Sequence, residues 1–248
     1  MQPKVNWYEK LRSIDMVYNA GLLDWQPLYT GTSNHVFKIK TEVGTWVVRF
    51  NRAALGIDRI KEKEVMALVE PFELGPKVIA NDPQEGFLVT EYIDRLPWRV
   101  NDFKDTTKLK LLKQRLNQLH SIPYEHLPSR LDYRLKLYLK TIKGISAGAS
   151  LKLLTAIQKL EFLGFWEANK TLYHSDLNPN NILGQDKISI VDWEFAGQGH
   201  PLLDWLIMEF ETKIDLSAHF PQDINPVWVE PARQMIRGMM SLWPYESP

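Results

Sequence analysis

Apolar positions recur at helical spacing from Val5 to about Asn19, where Leu11, Ile14 and Tyr18 share one side and Gly21 follows. The period then switches. Residues 26–29, 35–40 and 45–50 are short and rich in β-branched and aromatic side chains. Between them lie Thr30-Gly31-Thr32-Ser33-Asn34 and Glu42-Val43-Gly44, which predicts a three-stranded antiparallel meander. In residues 57–69, Ile60, Val65 and Leu68 interleave with charges ahead of Pro71. That pattern predicts one amphipathic helix laid on the sheet through those apolar positions. Residues 77–80 and 86–92 read as two more strands around Asn81-Asp82-Pro83.

After Pro97 helical periods take over. Leu109, Leu112, Leu116 and Leu119 make an apolar stripe on a helix expected from about Asp105 to before Pro123. Residues 131–142 and 151–166 read as further helices. Two β-like pieces, 171–173 and 188–191, flank a polar loop. The tail from Pro201 is again mostly helical, with an interruption at 221–226. A sheet-rich first part followed by a larger helical part is an α+β arrangement. The expected division is residues 1–94 and 95–248, with the boundary near Ile93–Pro97.

Composition narrows the function. Hydrophobic residues make up 44% and charged residues 24% of 248, ordinary globular usage. Lys plus Arg and Asp plus Glu both total 30, a balance that points to neither a nucleic-acid nor a membrane-surface partner. The absence of cysteine excludes disulfides, thiolate metal sites and cysteine nucleophiles. No apolar run suits a signal peptide or a membrane span, so a soluble cytoplasmic protein is expected. Oligomeric state has no signature in this sequence.

The chemistry is concentrated in Tyr173-His174-Ser175-Asp176-Leu177-Asn178-Pro179-Asn180-Asn181-Ile182-Leu183 and Ile188-Ser189-Ile190-Val191-Asp192-Trp193-Glu194. Its polar anchors read His-x-Asp-x-x-x-x-Asn, then an Asp directly after an apolar strand. Phosphoryl transfer needs one carboxylate beside the attacking hydroxyl, and oxygen ligands that hold magnesium against the nucleotide phosphates. Asp176 suits the first task. Asn181 and Asp192, hard oxygen donors across a strand-turn-strand excursion, suit the second. His174 reads as a scaffold residue of the loop, since Asp176 already supplies the proton acceptor.

This segment resembles the catalytic core of the aminoglycoside phosphotransferase and choline kinase superfamily. Asp192-Trp193-Glu194 is most similar to its choline kinase and thiamine kinase branch. Protein kinases carry Asp-Phe-Gly at that place, and no Ala-Pro-Glu segment follows here. Leu119-His120-Ser121-Ile122-Pro123 and Gly199-His200-Pro201-Leu202-Leu203-Asp204 also resemble the superfamily. The resemblance implies a two-lobed protein-kinase-like fold, ATP and Mg2+ as cofactors, and a small-molecule alcohol as acceptor.

It also implies roles for residues of the first lobe. Gly31, Thr32, Ser33 and Asn34 lie where kinases place the loop over the nucleotide phosphates, and backbone N–H groups there can cradle oxygens. Arg49 stands on the third strand where kinases carry a phosphate-contacting Lys, and its charge is permanent. Its acidic partner is expected on the following helix at Glu64, with Glu62 the alternative. Glu91 and Ile93 flank the expected adenine hinge. Asp204 reads as a helix cap or a brace for the catalytic loop.

Asp176, Glu194 and Asp204 cluster in sequence around the catalytic segment, with Trp193 and Trp205 adjacent. Carboxylates and aromatic faces together suit a cation, which makes choline, ethanolamine or thiamine the expected acceptors. An aminoglycoside, a sugar amine or homoserine is the alternative, and a nucleotide-binding pseudokinase without turnover a second one.

Overall fold

A computed structural model describes residues 5–30, 34–168 and 170–242. It separates into two compact units, one of Met1–Ala54 with Pro76–Asp94 and one of Leu55–Gly75 with Arg95–Pro248. The segment 55–75, expected with the sheet, thus groups with the helical unit.

The first unit opens with two short helices, α1 (Trp7–Arg12) and α2 (Asp15–Asn19), where one was expected. The break has a local cause. Ser13 Oγ donates to Lys10 O at 2.8 Å, and Ile14 is extended (φ −85°, ψ 112°) before α2 begins. Among the described residues, strands β1 (Leu22–Thr30), β2 (Asn34–Thr41), β3 (Gly44–Asn51), β4 (Val78–Asp82) and β5 (Phe87–Glu91) form one antiparallel sheet, ordered β1-β2-β3-β5-β4. Opposed pairs Phe37↔Val48 and Ile39↔Trp46 put Phe37, Ile39, Trp46, Val48 and Phe50 on one face, as the two-residue pleat requires. That face is buried under Leu11, Ile14 and Val17 of the helices and their connection. The Trp7 ring adds to it, 4.8 Å from Phe37 and 5.7 Å from Phe50.

The second unit begins with α3 (Arg59–Val69), capped by Asp58, whose side chain accepts from the N–H groups of Ile60 and Lys61 at 2.9 and 3.1 Å. The expected packing face of this helix is corrected. Ile60 is 63% exposed and Leu68 39%, and the buried positions are Lys61, Glu62, Val65, Met66 and Val69. Two charged residues are drawn inward because polar partners await them there, and an apolar periodicity does not register that.

Helix α4 (Thr106–His120) buries its leucine stripe, Leu109, Leu112, Leu116 and Leu119, at 4% exposure or less. Helices α5 (Leu131–Thr141) and α6 (Ala147–Phe162) follow. Gly164 takes a left-handed conformation (φ +72°) that ends α6, and α7 (Phe165–Ala168) starts separately. Strand β6 (Thr171–Tyr173) pairs with β9 (Gly197–Gly199), and β7 (Ile182–Leu183) with β8 (Ser189–Ile190). These two antiparallel pairs hold the ends of the polar loops between them. Helices α8 (Leu202–Thr212) and α9 (Val229–Met240) complete the unit, α9 packing on α6. Among the described residues no helix is long and apolar enough to cross a membrane.

Candidate active site

The segment from β6 to α8 folds around one fully buried carboxylate. Asp204, in the first turn of α8, accepts from the N–H of His174 at 3.0 Å and of Ser175 at 2.9 Å, and pairs with His120 Nε2 at 2.9 Å. Its two oxygens therefore hold the backbone immediately before Asp176. Ser175 sits at φ +70°, a left-handed conformation uncommon for a side chain other than glycine. The paired N–H groups compensate that strain, and the bend brings Asp176 off the end of β6.

His174 ties this loop to the next. Its Nδ1 accepts from the Asp176 N–H at 3.3 Å, so Nε2 carries the proton donated to Val191 O at 3.0 Å. Burial pushes its pKa down to about 4, against the pull of Asp204. The ring is neutral and stands edge-on to Trp193 at 4.7 Å. It joins Val191, the residue before Asp192, to the backbone of Asp176, a bracing function.

Asn181 closes the loop. Its Nδ2 donates to Asp176 O at 2.8 Å and to Asp176 Oδ2 at 3.0 Å, while its own backbone carbonyl accepts from Val191 N–H at 3.0 Å. With the amide nitrogen committed to Asp176, the amide oxygen is the atom left to ligate a cation. Asp192 is exposed and left-handed (φ 67°, ψ 67°) at the exit from β8. Burial raises the pKa of Asp176 well above the usual carboxylate range, and the charges of Asp192 and Glu194 raise it further. Two carboxylates whose charges reach each other, beside an amide oxygen, form a hard-oxygen donor set that fits Mg2+. Among the described residues no three His, Asp or Glu side chains are grouped to hold a metal alone. Magnesium bound through one or two protein oxygens plus nucleotide phosphates needs no such cage.

Several side chains expected to face a ligand are used inside the protein. Trp193 is 1% exposed, with Nε1 donating to Ile190 O at 3.0 Å, and Trp205 is 2% exposed. Neither presents a ring face to a bound cation. Glu194 is buried, and its carboxylate pairs with Arg59 at 2.8 Å. Asp204 is consumed by the loop. The expected cage of acids and tryptophans is therefore corrected: these groups pack and brace.

Three cations that carried no motif surround the turn after Asp192. Arg59 bridges Glu62 at 2.9 Å and Glu194 at 2.8 Å. Lys61 Nζ donates to Glu194 O at 3.0 Å and Ala196 O at 2.5 Å. Arg134 of α5 donates to Ser175 Oγ at 2.6 Å and Phe195 O at 3.0 Å. His120 alone had a sequence signal, in the run Leu119 to Pro123.

On α3, Glu64 lies on the exposed side, where its charge helps push the buried Tyr124 hydroxyl up to about 12, after burial itself. Glu62 is buried. The reason for preferring Glu64 as the inward acid, namely Ile60 and Leu68 facing the sheet, does not hold.

In the sheet unit, Arg49 is 8% exposed on β3 and its Nε donates to Asn51 Oδ1 at 2.9 Å. Asn34, at the start of β2, is buried and accepts from Arg52 N–H at 3.5 Å. Gly31, Thr32 and Ser33 lie outside the described residues. At the end of β5, the N–H groups of Glu91 and Tyr92 donate to Lys77 O and Thr45 O, and Ile93 follows.

No curated protein sequence matches the chain. Among solved structures, the choline kinase LicA from Streptococcus pneumoniae is similar over 97% of this chain and 91% of its own, at 19% identity and TM-score 0.77. A choline/ethanolamine kinase family protein from Mesorhizobium loti is similar over 95% and 83%, at 22% identity and TM-score 0.71. A thermostable mutant of aminoglycoside phosphotransferase APH(4)-Ia, in a ternary complex with AMP-PNP and hygromycin B, is similar over 95% and 91%, at 15% identity and TM-score 0.65. These likenesses establish a kinase-like α+β fold. The model of the phosphotransferase enzyme family matches residues 24–231, a span that takes in both strands of the catalytic segment, and the chain belongs to that family.

Proposed function

We propose that the protein transfers the γ-phosphoryl group of ATP to the hydroxyl of a small molecule, with Mg2+ as the metal. The observation that carries this reading is the triple arrangement at the loop: Asp176 half-buried, held by Asn181 Nδ2 at 3.0 Å, with the charge of Asp192 acting on it. Asp176 accepts the hydroxyl proton as the new O–P bond forms and the bond from the γ-phosphorus to ADP breaks. A carboxylate whose proton affinity is raised by burial is the better acceptor for that proton. Asn181 Oδ1 and Asp192 would hold magnesium, which when bound neutralises charge on the phosphate oxygens. In the sheet unit, Arg49 is the residue proposed to contact the phosphates, with the backbone near Glu91 and Ile93 reading the adenine.

The acceptor we propose is a small amino alcohol such as choline or ethanolamine, with thiamine in the same class. Its support is the likeness to the choline kinase LicA and to the choline/ethanolamine kinase family protein, at TM-scores of 0.77 and 0.71 against 0.65 for the hygromycin-bound relative. Recognition of the cation falls to groups other than Trp193, Trp205, Glu194 and Asp204. The test is ATP consumption over a panel of choline, ethanolamine, thiamine, neutral sugars and aminoglycosides, with mass detection of products. Phosphocholine, phosphoethanolamine or thiamine phosphate is the expected product. Turnover restricted to a sugar or an aminoglycoside removes the acceptor class and keeps the phosphotransferase. Nucleotide binding without turnover of any alcohol removes the transfer reading.

A further inference from the structure

The turn that follows Asp192 is gripped through its backbone. The carbonyls of three successive residues accept from two buried cations: Glu194 O and Ala196 O from Lys61, and Phe195 O from Arg134. Lys61 comes from α3 and Arg134 from α5, elements far apart in sequence. Both are at most 6% exposed, and each lies close enough that the charge of Arg134 lowers the pKa of Lys61, after burial. Burying two like charges side by side costs free energy, so a bare packing role is an expensive use of them. Leucine or methionine would fill the same space.

What the two cations hold explains the arrangement. Arg134 spans the site: one nitrogen is on Phe195 O, three residues after Asp192, and another is on Ser175 Oγ, one residue before Asp176. Lys61 fastens α3 to the same turn, and Arg59 repeats that attachment through the Glu194 side chain. These bonds lie within the unit that holds residues 55–75 together with the helices.

We propose that Lys61 and Arg134 are positioning residues for the reaction, fixing the Asp192 turn in register with the loop that carries Asp176. They act through the carbonyls of residues 194–196 and through Ser175. The proposal rests on the assignment of Asp176 and Asp192 to phosphoryl transfer, and it deepens that assignment by naming what keeps the two carboxylates at a fixed separation. Groups of this kind, one bond removed from a metal site, typically alter metal affinity or activity by about 10- to 100-fold when removed.

The experiment compares Lys61→Met, Lys61→Arg and Ser175→Ala with the unaltered protein. Thermal unfolding establishes that each is folded. Calorimetric titration of ADP at several Mg2+ concentrations measures metal-dependent binding without turnover, and steady-state kinetics separates kcat from the acceptor KM. Lys61→Met should weaken magnesium-dependent ADP binding and lower kcat, each by about tenfold or more, with the acceptor KM within about twofold. Lys61→Arg should recover most of both, because a guanidinium keeps donors for two carbonyls. Ser175→Ala deletes only the Oγ that Arg134 holds; it should lower kcat several-fold and leave ADP binding intact. Unaltered magnesium dependence and kcat in a folded Lys61→Met, or in Ser175→Ala should Lys61→Met fail to fold, overturns the proposal while the phosphotransferase reading stands. Loss of magnesium-dependent binding in Lys61→Met, in a protein that phosphorylates no acceptor, supports the positioning role and removes the transfer reading instead.

Discussion

Replacing Asp204 by Asn tests the site at the point where fold and chemistry meet. The substitution is nearly isosteric and exchanges one acceptor oxygen for an NH2 donor. In the native protein Oδ1 accepts from Ser175 N–H at 2.9 Å, and Oδ2 from His174 N–H at 3.0 Å and from His120 Nε2 at 2.9 Å. If the NH2 takes the Oδ1 position, it faces the Ser175 N–H, donor against donor. If it takes the Oδ2 position, His120 can change tautomer and accept, but the His174 N–H loses its partner. One buried backbone N–H is orphaned either way.

Losing a hydrogen bond to a charged group costs about 1.5–3 kcal/mol, and the unsatisfied donor adds about 1–3 kcal/mol. A total near 3–5 kcal/mol is a large part of the roughly 5–15 kcal/mol that stabilises a typical domain. Urea denaturation, compared at constant m, should report it. The catalytic effect should exceed what unfolding explains. With its N–H freed, Ser175 can leave φ +70°, and Asp176 moves with it; a misplacement near 1 Å costs about a hundredfold in rate. Measured at a temperature where the variant is fully folded, kcat should fall by about that factor. A variant within 1 kcal/mol of the parent and with parental kcat would refute the reasoning that Asp204 sets the loop.

Three further outcomes are expected. Asp176→Asn should lower kcat by about 10²–10⁴ and keep magnesium-dependent nucleotide affinity, whereas Asp192→Ala should weaken that affinity itself; identical ATP titrations with and without Mg2+ would remove the division of roles. Burial holds both His174 and His200 at about 4 against an ordinary 6.5, so the unfolded chain takes up protons first as pH falls. Stability present above pH 6.5 is then lost progressively down to about pH 4, at about 2 kcal/mol per histidine by pH 5. His200→Asn, which keeps an acceptor for the Leu202 N–H, should unfold less readily on acidification than the parent, and an unchanged pH slope of Tm counts against this account. Arg59→Met should destabilise by about 3 kcal/mol because it takes a guanidinium away from the buried carboxylates of Glu62 and Glu194, and Arg59→Met combined with Glu194→Gln should cost less than the sum. Additive effects in chemical denaturation would mean that the ion pairs are inert.

What the sequence made legible was whatever repeats with a period or follows a reaction's own demands. The leucines of α4 bury because they recur every three or four residues, and the alternation in β2 and β3 survives as the buried face of the sheet. The spacing from His174 to Asp192 marked one ordered loop, and the structure draws its residues together: Asn181 Nδ2 donates to Asp176, and His174 links Asp176 to Val191. The illegible part has one physical source. A polar side chain is buried when a partner is waiting, and partners come from elsewhere in the chain. Lys61 lies inward because carbonyls 194 and 196 accept from it, 133 and 135 residues away. Ile60, its apolar neighbour, is left exposed as a result. The same rule removes the expected ligand cage: Glu194 adjoins Asp192 in sequence, yet its carboxylate is spent on Arg59, and Trp193 covers His174 instead of a cation. Proximity in sequence to a motif acid therefore says little about which way a side chain faces. On the proposed reading, the motif side chains that pack or brace leave acceptor recognition to others, and for that reason the acceptor panel carries more information than any single substitution at the motif.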